Sequence, residues 1–232
     1  MPADALALTL AAAALHAGWN VLIARAGDPE GAGAAAVLFA VTVFAPVAVL
    51  TWDVQAAAIP YMAASAAAEP SAHEAAGVVA VAIGVLLVRG ISRRGDLAAT
   101  GMAVCIAATI AFYTVVDKSG LQHAATIPYF EIVLATQGIL YATALSAVRG
   151  PGVITRGFSR WSAAAGLAMF GAYGLVLAAL RLAPAASVAA VRETSVVMAT
   201  GLAAIYLHEH VSRERAIGAV LVCGGVIVLA LA

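Results

Sequence analysis

The amino-acid sequence predicts an all-α, polytopic membrane helix bundle made of two inverted repeats, of which the first is shortened. The first observation is composition: 64% of the 232 residues are apolar and 10% are charged, against about 25% charged in soluble domains. The second is length, because several apolar runs reach the roughly 20 residues that a helix needs to cross about 30 Å of hydrocarbon. The third is an internal repeat, in which four residues recur 141 positions later. Together they exclude a soluble globular domain.

Eight apolar runs are predicted to span the membrane. In chain order they cover residues 4–24, 32–52, 75–88, 97–116, 127–148, 161–182, 185–207 and 216–231. A further Ala-rich piece, the stub at residues 54–68, carries Pro60 and is too short to cross normally. Unpaired backbone cannot face lipid. We therefore expect the stub to lie in the membrane interface or to re-enter among other helices.

The internal repeat divides the chain in two. Four residues recur 141 positions later in the same order, namely Ser71, Gly77, Gly84 and Val85 as Ser212, Gly218, Gly225 and Val226. Such repeats commonly enclose a substrate site near the bilayer midplane, and an odd number of helices in each makes the copies inverted. We assign residues 1–92 to the first repeat and residues 93–232 to a second, five-helix repeat. The first is short by about 44 residues, enough for about two helices.

The charge, the cysteines and the absence of enzyme motifs reduce the number of possible function classes. The formal net charge is zero and no run of five or more Lys and Arg residues is present, so nothing indicates a nucleic-acid partner. Cys105 and Cys223 lie within apolar runs without metal-ligand spacing and are expected to pack. The sequence has no GxSxG elbow, no HExxH and no Walker loop. It therefore predicts no enzyme activity, no cofactor and no metal site.

Polar and aromatic residues within the spans are the candidates for substrate binding. His16, Trp19 and Asn20 stand at i, i+3 and i+4, so they project from one helix face. Alternatively, Trp19 is an interface anchor and Asn20 an interhelical hydrogen-bonding group. Tyr113 and Tyr173 offer hydroxyls and aromatic faces to an organic substrate, although tyrosines in membrane helices also serve at interfaces and in packing.

An Arg-Glu pair interrupts the apolar run at residues 185–207. A charge near the middle of a membrane helix costs about 2.5 to 3.5 kcal/mol, so it normally faces a cavity or a partner. Arg192 shares a helix face with Ser195 at i+3, whereas Glu193 points about 100° away. Arg192 and Glu193 therefore either line a substrate cavity or form structural ion pairs with neighbouring helices.

Two carboxylates are candidate partners for the guanidinium groups of Arg192 and Arg181. Asp117 closes the predicted span 97–116, and Glu131 lies about one turn inside the next. Either one could neutralise Arg192 or Arg181. A carboxylate in such a place is the usual proton carrier of a coupled transporter, and it is equally suited to structural pairing.

Several stretches resemble a known family. They are Leu15-His-Ala-Gly-Trp-Asn20, Phe112-Tyr-Thr-Val-Val-Asp-Lys118, Val191-Arg-Glu-Thr-Ser-Val-Val197, Leu207-His-Glu209 and Arg215-Ala-Ile-Gly-Ala219. Together they resemble EamA-type members of the drug/metabolite transporter superfamily. The resemblance implies ten helices in two inverted five-helix repeats. This chain departs from that pattern by lacking most of the third and fourth helices.

The resemblance implies a secondary transporter, exporter or importer, of small organic metabolites or drug-like compounds across the inner membrane. The alternative is a non-transporting membrane protein, either a degenerate remnant or a module that depends on a partner. The expected partners are a small-molecule substrate, membrane lipid and, if the chain functions, a second copy in a homodimer that covers the flank left by the missing helices.

The basic residues predict the orientation. Nine of the twelve fall in alternate loops on one side, namely Arg25, Arg89, Arg93, Arg94, Arg149, Arg156, Arg160, Arg213 and Arg215. The positive-inside rule makes these loops cytoplasmic and places both termini outside. The family resemblance implies cytoplasmic termini instead, so both orientations stay open at this point.

Overall fold

The computed structural model describes residues 1–67, 109–110 and 112–206. Within these ranges the regular elements are helical, and a single isolated antiparallel bridge joins Val54 to Ala124. The helices are α1 (Ala3–Ala24), α2 (Pro29–Leu50), α3 (Ile59–Ala67), α4 (Thr126–Arg149), α5 (Gly152–Gly157), α6 (Arg160–Leu182), α7 (Ala185–Arg192) and α8 (Thr194–Tyr206). A 3₁₀ turn at Ala56–Ala58 precedes α3, and residues 112–120 are also helical. The predicted all-α membrane bundle is confirmed.

Four of the described helices, α1, α2, α4 and α6, are long and apolar enough to cross a membrane. Their ends agree with the predicted spans to within about three residues. The predicted spans 75–88, 97–116 and 216–231 lie wholly or largely outside the described residues, as do all eight residues of the internal repeat. The protein is a multi-pass membrane protein, while the total of eight spans and the division at residue 92 remain predictions.

The prediction of one continuous span over residues 185–207 was wrong. The helix is interrupted at Glu193, which separates α7 from α8. The Thr194 hydroxyl donates to the Val191 carbonyl at 2.7 Å, and the Glu193 N–H bonds back to Ala190 instead of continuing the α-helical ladder. Side-chain hydroxyls that bind nearby carbonyls compete with helix hydrogen bonds in this way. Arg192 therefore lies at a helix end.

Two other boundaries also differ from those predicted. Helix α2 begins at Pro29, three residues before the predicted start at residue 32. The Asp28 carboxylate accepts a hydrogen bond from the Gly31 N–H at 3.2 Å, and proline suits the first helical position. The helix over residues 112–120 continues past the predicted end at Val116. Asp117 therefore lies inside a helix and does not close it.

Small residues hold the bundle together. Helix α1 packs most extensively against α6, and its buried face includes Ala5, Ala12, Ala13 and Ala17, each at most 1% exposed. Without a hydrophobic drive inside lipid, membrane helices associate where small side chains let their backbones approach. Gly166 likewise allows close approach of two helices, because it places the backbone of α6 directly against the backbone of α2 at Ala36.

One end of the bundle is closed by ionic contacts. The Arg149 guanidinium at the end of α4 donates to Asp28 and to Glu30, each at 2.9 Å, and so joins α4 to the start of α2. The hydrogen bond from Arg149 is the largest of the effects that lower the pKa of Asp28 below its usual value. These contacts stay formed at neutral pH.

The opposite end is closed by backbone contacts. The Gln55 N–H donates to the His123 carbonyl at 3.0 Å, and the Ala125 N–H donates to the Asp53 carbonyl at 2.7 Å. The Lys118 ammonium donates to the carbonyls of Leu180 at 3.0 Å and Ala183 at 2.6 Å, where α6 ends. At this end, residues 53–55 are therefore joined to the 121–125 turn. The end of α6 is joined to the helix over residues 112–120.

The first testable prediction concerns orientation. The structure places Arg25, Arg149, Arg156 and Arg160 at one end of the bundle and Lys118 and Arg181 at the other. The positive-inside rule makes the first end cytoplasmic and leaves the N-terminus outside. In a chain with Cys105 and Cys223 replaced by Ser, an impermeant thiol reagent added to intact cells should label Gln55→Cys and spare Thr155→Cys. The reverse labelling would support the family's orientation.

The second prediction concerns helix packing. A Cβ added at Gly166 would overlap the Ala36 carbonyl, whereas one added at Gly174 of the same helix meets nothing within 4 Å. Gly166→Ala should destabilise the protein by about 1 to 3 kcal/mol through overpacking. Gly174→Ala should be neutral or stabilise it by up to about 1 kcal/mol. Thermal unfolding in detergent, followed by tryptophan fluorescence, compares the two, and equal midpoints would contradict the packing.

Candidate functional site

A cavity of about 100 Å³ lies between α1, α6, α7 and the helix over residues 112–120. Its polar and aromatic lining consists of His16, Trp19, Tyr113, Tyr173 and Arg192. Small or apolar side chains complete the wall, namely Ala12, Met169, Ala172 and Val176. The lining residues of α6 lie near the middle of that helix, so the cavity is located well inside the membrane.

Arg192 is the cation of this cavity. It is 8% exposed, and one of its guanidinium nitrogens donates to the Tyr113 hydroxyl at 3.0 Å. The guanidinium carbon also lies 5.8 Å from the centre of the Tyr113 ring, within range of a cation–π contact. A guanidinium has five N–H donors, of which Tyr113 uses one. Within the part of the chain that the structure describes, donors therefore remain for an acceptor in the cavity.

Aromatic rings form much of the remaining wall. His16 and Trp19 meet edge to face with ring centres 5.1 Å apart, which fixes both rings on α1. Tyr113 and Tyr173 lie 5.8 Å apart, and Tyr173 packs against Phe130 at 4.7 Å. Rings held by other rings present flat apolar faces with few rotamers to lose on binding. The cavity therefore suits a solute with an apolar or planar part.

Asp117 lies immediately behind Tyr173 and is completely buried. The Tyr129 hydroxyl donates to one carboxylate oxygen at 2.9 Å, and the Tyr173 hydroxyl donates to the other. The Ser65 hydroxyl of the stub lies near this carboxylate and interacts with it. Burying a carboxylate is costly unless donors satisfy it. These three hydroxyls make Asp117 a junction of the stub, α4, α6 and its own helix.

The carboxylates predicted to neutralise Arg192 or Arg181 have other surroundings. Asp117 takes its direct hydrogen bonds from hydroxyl groups. Glu131 is 8% exposed, and its Oε2 atom has no hydrogen-bond partner in the part of the chain that the structure describes. In the described ranges the ion pairs are those of Arg149 with Asp28 and Glu30. Neither predicted charge pair is therefore formed among these residues.

The other predicted site residues lie away from the cavity lining. The Asn20 amide donates to the His16 carbonyl of its own helix at 2.7 Å. Arg181 is exposed at the end of α6 and donates to the Ala124 carbonyl and the Thr126 hydroxyl. Glu193 is half-buried at the helix break, and Ser195 is buried near the start of α8. The structure thus brings together five predicted residues, with Asp117 behind them.

Sequence reasoning missed Tyr129 and Ser65. A signal for Tyr129 was present, because a short turn makes consecutive helices antiparallel neighbours. The first turn of α4 must therefore face the last turn of the preceding helix, which carries Asp117. No comparable signal identifies Ser65, since its contact depends on how the stub packs against α4. Among the described residues, no three His, Cys, Asp or Glu side chains are arranged to hold a metal.

A polar cavity inside a multi-pass helical bundle is the architecture of membrane transporters. A family model described as the EamA-like transporter family matches residues 97–231, more than half of the sequence. The chain therefore belongs to the EamA-like transporter family, and its function class is membrane transport of the drug/metabolite type. No curated protein and no solved structure shows a significant match to it. The family resemblance predicted from the sequence is confirmed.

The third prediction concerns Asp117. Asp117→Ala removes the acceptor of two buried tyrosine hydroxyls, and each unsatisfied group costs about 1 to 3 kcal/mol. Asp117→Asn keeps an acceptor oxygen and should retain most of the stability. Thermal unfolding of both variants in detergent provides the measurement. Similar midpoints for Asp117→Ala and the wild type would show that the tyrosine hydroxyls do not depend on this side chain.

Proposed function

We propose that the protein is a secondary transporter of small organic metabolites across the cell's inner membrane, with the cavity around Arg192 as its substrate site. The observation that carries the proposal is the cavity itself, in which a buried cation and four aromatic or imidazole rings face a common space within the bilayer. A charge at that depth is expensive and is characteristic of a substrate pathway.

The size of the cavity favours metabolites over drug-like compounds. Sites for drug-sized ligands measure about 300 to 1,000 Å³, whereas this cavity measures about 100 Å³. In the conformation that the structure shows, a compact solute with a hydrogen-bond acceptor for Arg192 is the better match.

The packing of the stub supports a working carrier over a degenerate remnant. Ala58, Met62 and Ser65 are buried, and Ser65 reaches the carboxylate that lies behind the cavity wall. A remnant would have no need to keep the stub in contact with this site. A homodimer remains a prediction from the sequence, as does the loss of about two helices from the first repeat.

The fourth prediction tests the site. In proteoliposomes, the wild type should move at least one member of a panel of radiolabelled amino acids, monocarboxylates and sugars. Arg192→Gln should lower uptake of that solute by about 10- to 100-fold, since a hydrogen bond to a charged group contributes about 1.5 to 3 kcal/mol. Arg156→Gln, an exposed arginine in α5, is the matched control and should transport normally.

Two results would count against the proposal. Equal uptake by Arg192→Gln and the control would remove Arg192 from the substrate site. No movement of any solute in either direction by the folded wild type would reject the carrier function and favour the non-transporting, partner-dependent membrane module.

A further inference from the structure

We propose that the cavity binds an organic anion together with one proton, the anion on Arg192 and the proton on Asp117. The inference rests on the proposed carrier function and specifies its substrate class and its coupling. It follows from the arrangement of two buried charges on either side of one pair of tyrosines.

The first step concerns the anion. Arg192 is buried, lines the cavity and has Tyr113 as its hydrogen-bond acceptor among the described residues. A buried guanidinium is best satisfied by an anionic acceptor, which it can bind through two parallel hydrogen bonds. A cationic solute would meet repulsion from the same group. A carboxylate with a flat apolar part matches both Arg192 and the rings of Trp19 and Tyr113.

The second step concerns the charges around Asp117. In the described part of the chain, the titratable or charged groups that interact with it are Tyr129 of α4, Tyr173 of α6 and Arg192 of α7. The stub contributes only the hydroxyl of Ser65. Arg192 is therefore the one cation among these groups. It acts on Asp117 from beyond the tyrosines and not in a direct ion pair.

The third step joins the two charges. While the cavity is empty, the charge of Arg192 is offset by two carboxylates of the described residues, Asp117 beyond the tyrosines and Glu193 next to it in the chain. An anion on Arg192 adds a further negative charge to this group in a region of low dielectric, where uncompensated charge is costly. A proton on Asp117 offsets the added charge. By linkage, the anion then raises the affinity of Asp117 for a proton, and the proton raises the affinity for the anion by the same factor.

The structure also supplies a route for the proton. Tyr173 lines the cavity and donates its hydroxyl hydrogen to Asp117. A proton from cavity water can bind the Tyr173 oxygen while the phenolic proton of Tyr173 passes to the carboxylate. Tyr173 remains neutral, Asp117 becomes a carboxylic acid, and one proton has left the water. Anion and proton would thus occupy the site together, as in symport.

The experiment uses the full chain in lipid nanodiscs, with benzoate as the anionic probe and benzamide as its neutral isostere. Binding is followed by tryptophan fluorescence, and proton uptake is measured in weak buffer. Benzoate should bind more tightly at about pH 5.5 than at about pH 8.5, with a ratio between about 5 and 150, the usual range of such couplings. Up to one proton should be taken up for each benzoate bound. Benzamide should bind more weakly and take up none.

Variants assign the proton. Asp117→Asn should bind benzoate with equal affinity at both pH values and take up no proton, provided that its circular dichroism matches the wild type. Asp4→Asn makes the same change at an exposed position of α1 and should behave as the wild type. His16→Gln removes the imidazole that lines the cavity, so it should weaken benzoate binding while each bound benzoate still takes up a proton. Tyr173→Phe should slow proton uptake without abolishing it at equilibrium.

The inference is overturned if wild-type protein binds no benzoate, binds it with the same affinity at both pH values, or binds benzamide equally well. It is also overturned if His16→Gln, and not Asp117→Asn, loses proton uptake. These failures are separate from failure of the carrier proposal, because the proteoliposome panel includes sugars and amino acids. A protein that moves one of them without a proton remains a transporter.

Discussion

The buried carboxylate of Asp117 is the constraint on which the rest of the described structure depends. It has no exposed surface, so its lone pairs must be filled by groups of the protein. The hydroxyls of Tyr129 and Tyr173 come from two separate helices, and both helices must be held at hydrogen-bonding distance from it. The stub must bring Ser65 close to the same carboxylate. Asp117 thereby constrains three elements at once. These are the position of the stub, the angle of α4 and the face of α6 that points inward.

Alanine and glycine at the helix contacts make this arrangement attainable. A larger residue at Ala12, which lies beside α6 residues in the cavity wall, would hold α1 away from α6 and separate His16 and Trp19 from Tyr173. Because lipid is as apolar as a leucine side chain, the bundle gains little from burying large hydrophobic groups. It gains from close contact between backbones, and the small residues allow it. Large apolar side chains such as Leu50 and Val148 accordingly remain on the outside.

Most of the described fold could be predicted from the sequence because apolar length and turn residues determine where membrane helices begin and end. The positions of α1, α4 and α6 follow from these two signals alone. The break at Glu193 could not be predicted, because it arises from a Thr194 hydroxyl competing for one carbonyl within an otherwise apolar run. The residues of the predicted site divide into two groups by position. His16, Trp19, Tyr113, Tyr173 and Arg192 meet, whereas Arg181 and Asn20 are used in local hydrogen bonds.

Lys118 shows how a residue at the edge of the membrane can orient one deep inside it. Its ammonium holds the carbonyls of Leu180 and Ala183, so the link between α6 and α7 has little freedom to swing. Helix α7 begins two residues later and is only eight residues long, with Arg192 at its far end. Because α7 is short, fixing the direction of its first residues also fixes the position of its last residue. Lys118 therefore helps to set the orientation of the Arg192 guanidinium in the cavity without contacting it.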